Sequence, residues 1–110
     1  MTKEELSEIL HNTGCPVNEG VTDLKNTTTY PRIDYWEIAW EDVMGSGEDY
    51  ELKATYQVSF YARKPREKAL IALKKALNEK GIYPVIYHEF NTEDRIWHSY
   101  FSVEVTGETL

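Results

Sequence analysis

The stretch YELKATYQVSFYA, residues 50–62, alternates apolar and polar positions almost without a break. Tyr50, Leu52, Ala54, Tyr56, Val58 and Phe60 share one side, and Glu51, Lys53, Thr55, Gln57 and Ser59 the other. That pattern predicts a strand with one buried and one wet face, as in an antiparallel sheet covered on one side. The period then changes. Pro65 occupies a favoured early helix position, and Ala69, Leu70, Leu73, Ala76 and Leu77 recur at three- and four-residue spacing. A helix over 66–80 is predicted, stopped by Gly81.

The same reading applies on either side of this unit. TKEELSEILHNTG predicts a short amphipathic helix, with Thr2 and Glu5 as a capping box, Leu6, Ile9 and Leu10 on one face, and Gly14 as its stop. Residues 15–29 are polar and predict a long loop. YPRIDYWEIAWEDVM predicts a strand with a bulge or bend, and GSGED, residues 45–49, a glycine-rich turn. IYPVIYHEF and RIWHSYFSVEV predict two final strands joined by the turn NTED. The expected fold is a single α+β domain over 1–110, in the order α-β-β-α-β-β, with a mainly antiparallel sheet and the helices on one face.

Charge and cysteine content narrow the function. The 110 residues carry 12 Lys and Arg against 19 Asp and Glu, a net charge of −7. Neutralising phosphates drives most nucleic-acid affinity, so this balance argues against general DNA binding. No apolar run is long enough to span a membrane. The charged N-terminus lacks the apolar core of a signal peptide. A single cysteine, Cys15, excludes an intrachain disulfide and a multi-cysteine zinc site, and suits a reducing interior.

Four side chains around one turn, His88, Glu89, Asp94 and His98, are of metal-ligating type. Whether the histidines converge depends on register: His88 faces His98 in one pairing and Trp97 in another, and a one-residue slip reverses the faces. The alternative is a pair of ordinary sheet-edge histidines. Cys15, in TGCPV after a helix stop, reads as a small semi-buried residue rather than a nucleophile. GSGE lacks the lysine and helix of a phosphate loop. The carboxylates form no pair that stands out as acid and base. Arg63, Lys64, Arg66 and Lys68 form the one concentrated positive cluster. It is either a docking point for an acidic neighbour, including the next copy of the chain, or a solvated corner. In IDYWEIAW, Tyr35 faces opposite to Trp36, Ile38 and Trp40, so this strand is apolar on both faces. Such a strand is covered on both faces, by its own helices or by another subunit. Tyr35, Trp36, Trp40, Arg63, Lys64 and Arg66 are therefore the candidate interface residues.

Taken in order, these elements resemble the small tail-completion and tail-terminator proteins of long-tailed bacteriophages and prophages. The resemblance covers most of the chain. It is carried by the first helix ending in TGCPV, by YPRIDYWEI after a polar loop, by YQVSFYARKPREKALIALKKAL, and by the hairpin YHEFNTEDRIWHSYFSVEV. It implies a structural subunit without catalytic residues or cofactor. Such subunits assemble as a ring, typically a hexamer, that ends the tail tube and offers a surface to the head connector. The implied partners are further copies of itself, the tube protein and connector proteins, with DNA passing through an acidic lumen without specific binding. The implied location is the host cytoplasm during assembly and then the virion tail. Residues 15–29 and the tip at 45–49 would be contacts with tube or neighbour. The alternatives are another minor tail or neck component and, in a different class, a small metal-binding domain using His88 and His98. A nucleic-acid-binding regulator is disfavoured by the charge.

Overall fold

The computed structural model describes residues 1–20, 29–43 and 51–109. The turn expected at 45–49 and most of the loop expected at 15–29 lie outside these residues. Helix α1 (Lys3–His11) starts as its sequence dictates: Thr2 Oγ1 accepts the Glu5 N–H at 3.2 Å, and the Glu5 carboxylate accepts the Thr2 N–H at 3.3 Å. Such a cap is worth about 1 kcal/mol. Leu6, Ile9 and Leu10 form its buried face.

The polar segment that follows is not all loop. Val17–Glu19 forms strand β1, which runs parallel to β2 (Arg32–Val43), with Val17 opposite Ile33. Three residues are too few to show alternation. The pairing is clamped at both ends, by the Ile33 N–H on the Pro16 carbonyl at 2.9 Å and the Gly20 N–H on the Tyr35 carbonyl at 2.8 Å. The expected order therefore gains a strand, and the sheet is mixed. The remaining pairings, of β2 with β3 (Glu51–Ala62), of β3 with β5 (Ile96–Thr109), and of β5 with β4 (Tyr87–Asn91), are antiparallel. The strand order is β1-β2-β3-β5-β4.

Helix α2 (Lys68–Glu79) begins two residues later than expected. Arg66 has φ 52°, in the left-handed region, so it cannot join a right-handed helix, and Pro65 stays outside in the turn. Gly81 closes the helix at φ 79°, with the Ile82 N–H on the Leu77 carbonyl. The next strand is shorter than its pattern. Ile82 and Ile86 pack on the core while Tyr83 and Val85 are exposed, but the ladder begins only at Tyr87. Pro84, without an N–H, sits in the unpaired part.

Both helices and one sheet face share one core. Leu6, Leu10, Leu70, Leu73 and Leu77 meet Ile33, Tyr56, Val58, Phe60, Phe101 and Val103. The even-numbered face of residues 52–60 is buried, as alternation predicts.

Candidate functional site

Strand β2 has two unlike halves. Arg32 to Tyr35 are buried, whereas residues 37–43 are all exposed. A bulge between Glu37 and Ala39 separates them. The extra residue resets the faces: Tyr35 opposes Val58 and Trp36 opposes Gln57, but beyond the bulge Trp40 opposes Ala54 and Asp42 opposes Leu52. Trp40 and Asp42 thus lie on the same sheet face as Tyr35, not on the opposite one. Tyr35 is a core residue at 4 % exposure, its ring 5.9 Å from Tyr56. Trp36 is half-buried on the other face. Trp40 is 62 % exposed, with Ile38 and Val43 also open to solvent. Acids surround this half: Glu37, Glu41, Asp42, Glu51 and Glu104 are exposed. Among the described residues the cation in this group is Lys53, bound between Glu41 at 3.2 Å and Glu104 at 3.6 Å. Its pKa is raised, chiefly by the hydrogen bond to Glu41.

At the far end of the sheet, the face away from the helices carries a ladder of rings and cations that the sequence reading missed. The Arg63 guanidinium lies 4.9 Å from the Tyr30 ring, and Arg32 lies 4.8 Å from Tyr30 and 4.4 Å from Tyr61. Tyr61 stacks on His98 at 4.6 Å, His98 meets Tyr100 at 5.0 Å, and Tyr100 meets Tyr87 at 5.6 Å. The signal was present in the outward positions of β3 and β5, but only the register joins them. A cleft of about 600 Å³ opens here, lined by Tyr30, Arg32, Tyr61, Glu89, Asp94 and His98 among others.

Within it, His98 Nε2 lies 2.9 Å from Ser59 Oγ, and its Nδ1 lies 3.8 Å from Glu89. The connectivity is that of a serine–histidine–acid triad, but the geometry is not. Ser59 is fully buried in the middle of a central strand. Strand ladders on both sides engage the backbone there, pairing Ser59 with Asp34 and with Tyr100, so its own N–H is not offered to an oxyanion. Burial lowers the His98 pKa below its ordinary value, against a smaller opposing pull from Glu89.

The two histidines do not converge. His88 pairs with Ser99 and His98 with Glu89, a register that differs from both expected ones. Paired residues share a face, so the histidines point to opposite sides. His88 Nδ1 lies 2.7 Å from Ser99 Oγ, on the helix side. Among the described residues no group of three His, Cys, Asp or Glu side chains is placed to hold a metal. Cys15 is partly buried, and burial raises its thiol pKa, which disfavours the reactive thiolate.

Arg63, Lys64, Arg66 and Lys68 are exposed where β3 turns into α2, with Lys64 3.9 Å from Glu67. Beside them a groove of about 240 Å³ is floored by Phe60, Ala62, Leu70 and Trp97. No described helix is long and apolar enough to cross a membrane. Compared with known protein families and with curated proteins, the chain finds no match.

Proposed function

We propose that this chain is a structural subunit of phage assembly, without enzymatic activity, that forms a ring ending the tail tube and joining it to the head connector. The observation that carries the reading is the distal half of β2, which holds Ile38, Trp40 and Val43 in solvent next to the buried half of the same strand. Ile38, Ala39 and Trp40 line one shallow surface depression, and Trp is prominent among the anchors of protein interfaces. The element order that resembles tail-terminator proteins supplies the kind of assembly. Further copies, the tube protein and connector proteins are the partners. The acidic chain suits a channel that DNA crosses without sticking.

The test is the mass in solution by light scattering over a concentration series, with electron micrographs of any large species. Closed rings of several copies, about six by the resemblance, are expected. A strict monomer up to the solubility limit would sink the reading.

A further inference from the structure

Resting on that reading, we infer that the distal half of β2 in one copy docks into the cationic groove at the start of α2 in the next copy. The occupant and the groove match in shape and charge. Trp40 and Asp42, two residues apart beyond the bulge, lie on one face of β2, so one strand presents an indole and a carboxylate side by side. The groove presents the complement: the apolar floor of Phe60, Ala62, Leu70 and Trp97, with Lys64 and Arg66 as its charged lining residues. The indole fills the floor and the carboxylate meets the cations at the rim.

The contact has to be made between copies. Trp40 opposes Ala54 on β3, whereas the groove sits at Ala62 on the same strand. Eight residues of strand separate them by about 27 Å at ~3.4 Å per residue, so no copy can fill its own groove. Charge favours the same orientation. A chain of net charge −7 repels its copies in most approaches. Here Arg63, Lys64, Arg66 and Lys68 offset Glu67, Glu89 and Asp94 at one end, while at the other Glu37, Glu41, Asp42, Glu51 and Glu104 outnumber Lys53. Head-to-tail approach brings the opposite ends together, which sets the register as well as the encounter rate. The two surfaces differ, so repetition of the contact closes a ring or grows a filament.

Two variants test this. Trp40→Ala with Asp42→Ala removes the occupant, and Lys64→Glu with Arg66→Glu reverses the groove. All four positions are exposed, so circular dichroism should report folded proteins. Each variant alone is expected to lose every species above one copy where the parent is assembled. An equimolar mixture, which restores one intact contact, should give a two-copy species and nothing larger. If the parent assembles and either variant still does, this contact is wrong and the ring reading stands. Failure of the mixture to pair would also overturn it. A parent that stops at two copies, with the same variant behaviour, keeps the contact and sinks the ring. A strictly monomeric parent sinks both.

Discussion

His98 sits between Tyr61 and Tyr100 on the sheet face away from the helices, with Ser59 below it and Glu89 beside it. Its folded pKa is lowered, so the folded state prefers the neutral ring. The stability this represents is present above the unfolded value of about 6.5 and is lost as pH falls through the lower, folded value. Urea midpoints at pH 7.5 and 5.5 should therefore fall less in His98→Gln than in the parent; an equal fall would remove His98 as a cause. Exposure separates other residues. Leu73 is fully buried, so Leu73→Ala should cost about 2–5 kcal/mol. Trp40→Ala should stay within about 0.5 kcal/mol of the parent in stability while weakening self-association. A large loss of stability in Trp40→Ala would mean that the residue supports the fold rather than an interface. Alternation fails around Trp40, which made it a candidate interface residue; the structure leaves it exposed. Tyr35 was not legible as core, because the faces of β2 depend on a bulge whose position composition does not mark. The histidine pair was illegible for the same kind of reason, since register is a long-range property.

At the scale of elements, what could be read was whatever satisfied a local rule. The capping box on α1, the apolar stripe of α2 and the alternation of β3 each depend on residues within a few positions of one another. What could not be read depends on distant partners. β1 exists because Ile33 and Tyr35 offer backbone groups to a three-residue segment with no pattern of its own. The ladder from Arg63 to Tyr87 needs four strands in register, β2, β3, β5 and β4, and the Tyr30 segment beside them. The start of α2 falls between these cases. Its pattern extends back to residue 66, but Arg66 at φ 52° breaks it. A left-handed residue with a Cβ costs about 1–2 kcal/mol, and glycine avoids that cost while losing about 0.4–1 kcal/mol in extra unfolded-state freedom. The balance predicts that Arg66→Gly stabilises the monomer by roughly 0.5–1 kcal/mol. The same change removes one of two cations from the groove, so self-association should weaken as stability rises. Denaturant midpoints and light scattering on one preparation check both. A variant that is less stable than the parent would contradict the strain assigned to this turn.

For the molecule as a whole, long-range repulsion and local attraction pull association in opposite directions, and salt separates them. The described chain extends about 50 Å along its longest axis and carries a net charge of −7. At about 0.01 M salt the screening length is roughly 30 Å, comparable with the subunit, so whole-chain repulsion acts between neighbours. By about 0.15 M it is near 8 Å, and repulsion between distant charges is largely gone, while cations and carboxylates brought within a few ångströms still attract. At about 1 M it is near 3 Å, and that contact attraction is itself weakened. Self-association should therefore pass through a maximum at intermediate salt. Lys64→Glu with Arg66→Glu should abolish the maximum, because it leaves only repulsion for salt to relieve. The measurement is the weight-average mass at fixed protein concentration across a salt series. A steady rise up to 1 M in the parent would mean that burial of Trp40 alone carries the contact and that the basic corner is only a solvated surface. A maximum in the parent, absent from the variant, would locate the attraction at the start of α2, where a chain with a large excess of acids concentrates its cations.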